Sequence, residues 1–322
     1  MDLEDVNRLV RSDMVAVNIV IQEQLQSAVP TIPAMGAYII GAGGKRLRPI
    51  VLLLSSRMGG EHGTRPIPLA AVVEFIHTAT LLHDDVVDGS ELRRSNATAN
   101  QLWGNAAAVL VGDFLYARAF EMMVRDGDIR VMSTLAEATS VIAQGEVAQL
   151  ENANDADLQP DAYYAVIEAK TAKLFEAAAR LGAILNHADP EREAALARYG
   201  SLLGTAFQLV DDALDYSVSA EQMGKNRGDD LVDGKATLPF IYAMQEGSEA
   251  ERGVLRDALS SGDRAGLERV LEIIARTRAI DYTLDVAAAK AKQAQACLAG
   301  FSDGPERRAL SFLADFAVRR EF

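Results

Sequence analysis

Helical periodicity runs through most of this chain and limits the folds that it can adopt. In VMSTLAEATSVIAQGEVAQLE, at 131–151, apolar residues recur at three- and four-residue spacing, which places them on one face of an α-helix. Glycine- and proline-containing stretches separate about ten such segments, and no pair of alternating strands flanks an Asn-Gly or Asp-Gly turn. Because no Pro/Ser-rich linker divides the 322 residues, we predict a single all-α domain over residues 1–322.

Composition narrows the functional classes. Acidic side chains outnumber basic ones by 46 to 32, which gives a net charge of -14, the wrong sign for binding a nucleic-acid backbone. Cys297 is the only cysteine, so no intrachain disulfide can form. The apolar runs, such as PIVLLL at 49–54, are shorter than the roughly 20 residues that a membrane span needs, and MDLEDVNRLV does not resemble a signal peptide. We expect a cytoplasmic protein with no membrane span and no nucleic-acid partner.

Two acidic motifs with the pattern Asp-Asp-x-x-Asp stand at the C-terminal ends of apolar runs. They consist of Asp84, Asp85 and Asp88 after VVEFIHTATLL (72–82), and of Asp211, Asp212 and Asp215 after LLGTAFQLV (202–210). Carboxylates four residues apart on a helix repel one another unless a cation lies between them. Oxygen ligands without histidine or cysteine favour Mg²⁺, with Mn²⁺ as an alternative. One copy is most often a solvated helix face, whereas two copies favour shared metal binding.

A third acidic stretch, DDLVD at 229–233, lies within SVSAEQMGKNRGDDLVDGK, at 217–235. The glycines and aspartates of this region predict a mobile loop. Without a helix to set its geometry, the solubility of a loop explains the stretch at least as well as metal binding does.

Basic residues lie in two places, next to a pair of glycines and just after the first acidic motif. In GGKRLRP, at 43–49, Lys45 and Arg48 are three residues apart just after a glycine-rich helix start, where backbone N–H groups attract anions. Arg93 and Arg94 follow the first motif, and because they are adjacent they must point in different directions. The chain could therefore bind two diphosphate groups.

The order of these motifs resembles that of the trans-isoprenyl diphosphate synthases, and within them the long-chain branch. The matching segments are GGKRLRP, HTATLLHDDVVDGSELRR, KTAKLFEAA, GTAFQLVDDALDY and GKNRGDDLVDGKATLP, spread over roughly 35–245. The resemblance implies an antiparallel helical bundle around a deep central cavity, a homodimer and three Mg²⁺ ions in each active site. It also implies prenyl transfer, in which an allylic diphosphate such as farnesyl diphosphate is condensed with successive isopentenyl diphosphates.

The resemblance also assigns residue roles. It gives Asp84 and Asp88 to two metal ions and Asp211 to a third, with Asp85, Asp212 and Asp215 in support and Asp215 counted among the metal ligands. The allylic diphosphate would be bound by Arg93, Lys170, Thr171, Gln208, Lys225 and Lys235. Isopentenyl diphosphate would be bound by Gly44, Lys45, Arg48, His77 and Arg94. The catalytic set is Asp84, Asp85, Asp88, Arg93, Lys170, Asp211 and Asp212.

Product length is the least determined part of this prediction. In the family, bulky aromatic residues four or five positions before the first motif stop elongation early, whereas here Thr80 and Ala79 occupy these positions. The floor of the cavity should therefore lie deeper, with Met122, Met123 and Phe120 on the next helix as candidates, although ordinary core packing would explain them equally well. We expect products well beyond C20, with C40 the predicted length and a quinone side chain as the expected use. The resemblance leaves open a peripheral membrane contact for product release.

Four other classes of protein share some of these features. A shorter-chain synthase making farnesyl or geranylgeranyl diphosphate would carry the same motifs. A metal phosphohydrolase of the HD type would use His83 and Asp84, but such enzymes need more histidines than the four in this chain. A non-catalytic subunit of a heteromeric prenyl synthase should have lost ligands, and an EF-hand would need its Asp-x-Asp-x-Asp-Gly loop.

Overall fold

A computed structural model describes residues 1–41, 43–58, 63–93, 96–217 and 227–319. Its N-terminal helices are α1 (Leu3–Gln24), α2 (Thr31–Gly41), α3 (Leu47–Ser56), α4 (Pro66–Val87), α5 (Ala99–Trp103), α6 (Asn105–Asp126) and α7 (Ile129–Glu151). Then come α8 (Pro160–Ile167), a π-helical segment (Glu168–Ala172), α9 (Lys173–Leu185) and α10 (Pro190–Asp215). The remaining helices are α11 (Asp229–Val232), α12 (Leu238–Glu246), α13 (Glu249–Ser261), α14 (Leu267–Thr277), α15 (Ala279–Cys297) and α16 (Pro305–Val318).

The all-α class predicted from the sequence is confirmed. The described residues hold only one β-element, an antiparallel hairpin of β1 (Leu92–Arg93) and β2 (Asn96–Ala97). Two local predictions were wrong. No strand was predicted where this hairpin lies, and the stretch 229–233 is not simply loop, because four of its residues form α11.

The chain divides into two compact units. Unit 1 comprises Met1–Thr139, Leu174–Gly200 and Gln295–Leu313, and unit 2 comprises Ser140–Lys173, Ser201–Ala294 and Ala314–Phe322. Each unit combines segments that are distant in the sequence, and the unit boundaries fall inside helices such as α7 and α10. The single domain over residues 1–322 stays a prediction.

Helix α4 is the central element of unit 1. It packs against α1, α3 and α6, and its buried residues lie on every side, including Val72, Phe75, Ile76 and Leu82. A helix that is apolar all round must be buried, because water would otherwise contact one of its faces. This helix alone among the described residues is long and apolar enough to cross a membrane, but the core helix of a compact protein meets the same criterion, and most of this one is buried inside the protein.

The core of unit 2 forms where α8, α12, α13 and α14 pack together. Its buried side chains include Phe240, Leu255, Val270 and Ile274, and the end of α10 contributes Leu209 and Val210. Helix α13 begins with a capping box, in which Ser248 and Glu251 satisfy each other's backbone N–H groups, as the Ser-x-x-Glu sequence predicts. This packing supports the C-terminal end of α10, which carries the second acidic motif.

Candidate functional site

The first acidic motif lies at the C-terminal end of α4, in unit 1. Asp88 follows the last helical residue but keeps a right-handed backbone, with φ -78° and ψ -10°, and its N–H donates to the Asp84 carbonyl at 2.8 Å. Asp84 and Asp88 therefore stay one turn apart, and both are partly exposed. The C-terminal end of a helix carries partial negative charge, so two carboxylates there favour a bound cation.

Asp85, the middle residue of this motif, has a different environment. It is only 1% exposed, and Arg93 donates to it from Nε at 2.9 Å and from Nη2 at 2.7 Å. Burial raises the pKa of Asp85, and the bonds from Arg93 oppose that shift. The buried Asp85 carboxylate thus holds the Arg93 side chain in place through Nε and Nη2. Nη1 of that guanidinium takes no part in this ion pair.

The β1–β2 hairpin returns Arg93 to the end of α4. Arg93 pairs with Asn96 across the hairpin. Two side chains that follow the hairpin form hydrogen bonds with the backbone that precedes it. Thr98 Oγ1 donates to the Ser90 carbonyl at 2.7 Å, and Asn100 Nδ2 donates to the Asp85 carbonyl at 3.2 Å. The sequence indicated Arg93 but not the buried Asn100 that holds its loop.

The second acidic motif lies at the C-terminal end of α10, in unit 2. Asp211 is partly exposed, whereas Asp212 is 3% exposed. Tyr163 OH donates to Asp212 Oδ2 at 2.5 Å, and Gln208 Nε2 donates to Oδ1 at 2.6 Å. The pKa of Asp212 is raised to about 8, chiefly by burial and then by the nearby Asp230, although the two hydrogen bonds oppose the shift. As in the first motif, the middle aspartate is buried and accepts hydrogen bonds from other side chains.

Asp215, the last residue of this motif, connects it to the third acidic stretch. Its Oδ2 accepts from the Asp230 N–H at 3.2 Å, and its carbonyl accepts from the Gly228 N–H at 2.9 Å. The Asp230 carbonyl in turn accepts from the Lys235 N–H at 2.8 Å, and Lys235 Nζ donates to Asp233 at 3.0 Å. The stretch is therefore folded against the second motif rather than held as a separate loop.

Lys170 and Thr171 lie in the π-helical segment between α8 and α9. Lys170 Nζ donates to Glu146 of α7 at 2.6 Å, and Thr171 Oγ1 donates to Gln208 Oε1 at 2.8 Å. Gly145 of α7 packs closely here, since a Cβ at that position would lie 2.7 Å from the Ala169 side chain. Short π-segments inside helices occur often at functional sites, and this one carries two of the predicted allylic-diphosphate residues.

The basic segment at the start of α3 differs in detail from its prediction. The helix begins at Leu47, so Lys45 precedes it and the helical i, i+3 relation to Arg48 was wrong. Gly43 and Gly44 have positive φ, and so does Arg46 at 49°. Arg46 Nη1 lies 2.6 Å from Oε1 of the buried Glu74, and Nη2 donates to the Ile40 carbonyl at 3.0 Å. This buried ion pair holds the turn, so that Lys45 is exposed beside it.

Arg48 and His77 lie together in unit 1, as the predicted isopentenyl diphosphate site requires. Arg48 Nη1 is 3.3 Å from His77 Nε2, and because a guanidinium cannot accept a hydrogen bond, His77 accepts through Nε2 and carries its proton on Nδ1. The Arg48 guanidinium also lies over the Phe175 ring, 4.4 Å from its centroid. Gly44 is exposed nearby in the sequence, with the positive φ noted above.

The chain-length candidates are not all equivalent. Ala79 is fully buried, and Thr80 is partly exposed, with its hydroxyl donating to the His77 carbonyl at 2.7 Å. On α6, Met122 and Met123 are buried, whereas Phe120 is 39% exposed. Phe120 lies about 160° around the helix from Met122, so their side chains are on opposite sides of α6.

Two predicted residues, Arg94 and Lys225, lie outside the described residues. Sequence reasoning missed four side chains that the structure brings to the motifs: Arg46, Glu74, Asn100 and Tyr163. Arg46 stands inside GGKRLRP, and Tyr163 precedes Lys170 in YYAVIEAK. Nothing in either local pattern indicates a buried partner, because those partners are distant in the chain.

His83 packs against α6. Its Nε2 is 3.1 Å from the Val109 carbonyl, and its ring covers Gly112, where a Cβ would lie 2.3 Å from Nε2. A carbonyl only accepts hydrogen bonds, so Nε2 is the donor in this contact.

Among the described residues, no three His, Cys, Asp or Glu side chains form a ready-made metal cluster. The donor set nevertheless fits Mg²⁺, which usually takes one or two carboxylates, keeps several waters and shares its shell with phosphate oxygens. Asp84, Asp88 and Asp211 have partly exposed carboxylates of the right chemistry. An ion at these residues would need diphosphate and water to complete its coordination.

Comparison with known proteins agrees with the motifs. The polyprenyl synthetase family model matches residues 29–276. The chain is 49% identical to octaprenyl diphosphate synthase of Escherichia coli (strain K12), over the whole of both chains. Its fold is similar to that of a polyprenyl synthase from Caulobacter crescentus CB15 solved with calcium and isoprenyl diphosphate, with a TM-score of 0.96, 47% identity and coverage of 99% and 98% of the two chains. It also resembles a decaprenyl diphosphate synthase from Rhodobacter capsulatus, with a TM-score of 0.95, 44% identity and coverage of 99% and 100%. The resemblance inferred from the motifs is therefore confirmed, and the chain belongs to the polyprenyl synthetase family.

Proposed function

We propose that this protein is a long-chain all-trans-polyprenyl diphosphate synthase that extends an allylic diphosphate with successive isopentenyl diphosphates. The observation that carries the proposal is the shared construction of the two acidic motifs. In each, the middle aspartate is buried and held by a donor side chain, whereas Asp84, Asp88 and Asp211 keep partly exposed carboxylates. The full-length similarity to octaprenyl diphosphate synthase supports C40 as the product.

The proposed metal and allylic diphosphate sites use the residues named above. Asp84, Asp88 and Asp211 would hold three Mg²⁺ ions, with Asp215 beside Asp211 on the same helix. Bound Mg²⁺ would neutralise the negative charge that develops on the departing diphosphate. Arg93 and Lys170 would add positive charge to the same diphosphate. Each now has a carboxylate partner, Asp85 or Glu146, which keeps its side chain in place until an anion binds.

The proposed reaction is electrophilic. The allylic C–O bond ionises, diphosphate leaves with the bonding electron pair, and a delocalised allylic cation forms. The double bond of isopentenyl diphosphate then attacks C1, and a proton passes to the departed diphosphate, so the trans product is longer by five carbons. Lys45 and Arg48 would hold isopentenyl diphosphate for this attack, because positioning replaces a slow bimolecular encounter. His77 would orient Arg48 through its Nε2.

A product analysis tests this proposal. The purified protein is incubated with farnesyl diphosphate, labelled isopentenyl diphosphate and Mg²⁺, and the dephosphorylated products are sized by chromatography. We expect species well beyond C20, with C40 dominant. Products ending at C20 would favour a geranylgeranyl diphosphate synthase, absence of any elongated product would favour a farnesyl diphosphate synthase or the non-catalytic subunit, and release of inorganic phosphate without elongation would favour a phosphohydrolase.

We also propose that the protein is a homodimer that pairs through the outer face of α6. Leu110, Ala117 and Val124 recur every seven residues on this helix, and all three are exposed, Leu110 by 66% and Val124 by 63%. Val109 and Phe120 extend the same exposed apolar surface. Apolar surface of this extent on one helix is typical of an interface, and a seven-residue repeat suits pairing with a second helix.

Sedimentation velocity tests the dimer. The chain has a mass of 34.6 kDa, so twice that, about 69 kDa, is expected for the wild type. The double variant Leu110→Glu/Val124→Glu should sediment as a monomer, because two like-charged pairs would be buried at the interface. Val15→Glu is the matched control, since Val15 is exposed to a similar degree on α1. A monomeric wild type, or a dimeric double variant, would contradict the proposal.

We also propose where the reaction takes place in the cell and how its product is used. A cytoplasmic enzyme without a membrane span would have to transfer a long apolar product to a lipid surface, so peripheral membrane contact at product release is part of this proposal. A polyprenyl chain of this length suits the side chain of a quinone, which we propose as its use.

A further inference from the structure

A continuous set of hydrogen bonds connects α8 and the π-helical segment after it to the second acidic motif, within unit 2. Thr171 Oγ1 donates to Gln208 Oε1, Gln208 Nε2 donates to Asp212 Oδ1, and Tyr163 OH donates to Asp212 Oδ2, at 2.8, 2.6 and 2.5 Å. Two of the three donors, Gln208 and Tyr163, donate directly to Asp212. The carboxylate therefore accepts a bond on each oxygen, from two different elements.

The bond between Gln208 and Asp212 sets the direction of this set. Asp212 Oδ1 accepts from the Gln208 amide nitrogen, so the amide oxygen is left to accept from the Thr171 hydroxyl, which can donate or accept. Thr171 lies in the π-helical segment and Tyr163 lies eight residues earlier in α8, a separation of about 12 Å along a helix axis. The two residues thus bind the last turns of α10 at two separate points.

Tyr163 lies in an apolar environment that makes its hydroxyl bond specific. The side chain is 4% exposed and belongs to the hydrophobic core with Ile167, Leu209 and Phe240. A buried hydroxyl without a partner is costly, and apolar packing alone would be satisfied by phenylalanine. The phenol at this position is therefore explained by the bond to Asp212.

The two acidic motifs differ in how their middle aspartate is held. Asp85 is held by Arg93, a cation that balances its charge. Asp212 is held by a neutral phenol and a neutral amide, with Asp230 adding negative charge nearby. The middle aspartate of the second motif is therefore held by neutral donors, whereas that of the first motif is held by a cation.

We propose that Tyr163 is a positioning residue of the second acidic motif, which acts through Asp212 to fix the orientation of Asp211 and the end of α10 for binding metal and diphosphate. This inference rests on the proposed function. Tyr163 itself is too deeply buried to contact substrate. Its removal should therefore affect the Mg²⁺ and allylic-diphosphate requirements while leaving the isopentenyl diphosphate requirement close to that of the wild type.

Tyr163→Phe is the direct test, because it removes one oxygen and keeps the ring. We expect kcat/KM for farnesyl diphosphate to fall about ten- to hundred-fold, and the Mg²⁺ concentration for half-maximal rate to rise several-fold. The KM for isopentenyl diphosphate should change by less than about twofold. Tyr164→Phe is the matched control, since the Tyr164 hydroxyl makes no hydrogen bond with any described residue, and it should behave as the wild type.

A double-mutant cycle separates positioning from general packing. If Tyr163 acts through Asp212, then Asp212→Asn and Tyr163→Phe/Asp212→Asn should have rates within about twofold of each other. This comparison also decides the question if Tyr163→Phe alone does not fold. A further tenfold loss in the double variant, or Tyr163→Phe with wild-type Mg²⁺ and substrate dependence, would overturn the inference. A wild type that makes no polyprenyl product would instead refute the proposed function.

Discussion

Replacing Asp84 with alanine is expected to lower prenyl-transfer turnover by about three orders of magnitude while the protein stays folded. Asp84 is a partly exposed carboxylate at the negative end of α4, where it has Asp88 one turn away. Removing it relieves a like-charge repulsion, so the melting temperature should stay the same or rise slightly. The loss of activity arises because a metal ion held there would stabilise charge on the leaving diphosphate mainly in the transition state. Steady-state rates and thermal unfolding measured on the same preparation check both parts.

Replacing the adjacent Asp85 with alanine should have a different effect from replacing Asp84. Asp85→Ala should lower both activity and the melting temperature, because it leaves Arg93 without the buried carboxylate to which it donates two strong bonds, and breaking such a pair costs about 3–5 kcal/mol. Asp257→Ala, an exposed carboxylate on α13, controls for the change in net charge and should alter neither property. Near-normal turnover of Asp84→Ala would remove the metal assignment, and an unfolded Asp84→Ala would make Asp84 a structural residue.

The features that the sequence predicted correctly are local ones. Helical periodicity depends on residues three and four apart, so α4, α7 and α10 could be located from their own segments. The Asp-Asp-x-x-Asp spacing likewise specifies which carboxylates share a helix face once the helix is known. The structure retains this geometry even at Asp88, which follows the last helical residue of α4.

The buried partners could not be predicted in this way, because each joins distant parts of the chain. Tyr163 and Asp212 are 49 residues apart. Arg46, in the turn before α3, forms an ion pair with Glu74 of α4. A glutamate inside the apolar run of α4 is visible in the sequence, and since a buried charge needs a counter-ion, it indicates a basic partner without identifying it. Tyr163 carries no such signal, because a tyrosine in a helix is compatible with simple core packing.

Backbone irregularities account for the remaining differences. The left-handed Arg46 delays the start of α3 by two residues relative to Lys45, and a non-glycine residue rarely adopts this conformation without a compensating contact. The buried pair with Glu74 provides one. The π-helical segment at Lys170 has no sequence signature either, since a π-turn adds one residue to a helix without changing its composition.

Product length should respond to bulk placed at the position one turn before Asp84. Thr80 is four residues before Asp84, about 40° around the same helix face and about 6 Å along the axis, and it is partly exposed. Ala79 is fully buried and points to a different side of α4. An aromatic ring at Thr80 would occupy space on the Asp84 side of α4 that the growing chain needs. For Ala79 the expectation rests on the family relation between bulky residues at these positions and early termination.

The test compares Thr80→Phe and Ala79→Tyr in the product assay with farnesyl diphosphate and isopentenyl diphosphate. We expect both variants to shift the dominant product from about C40 to about C20, since about 6 to 7.5 Å of helix separates these positions from Asp84. Thr80→Val is the matched control, because it removes the hydroxyl that binds the His77 carbonyl but adds no bulk, and its products should stay long. Ala79→Tyr should also lower the melting temperature, because overpacking at a fully buried position costs about 1–3 kcal/mol. Folded aromatic variants that still made C40 would show that the chain grows along another side of α4.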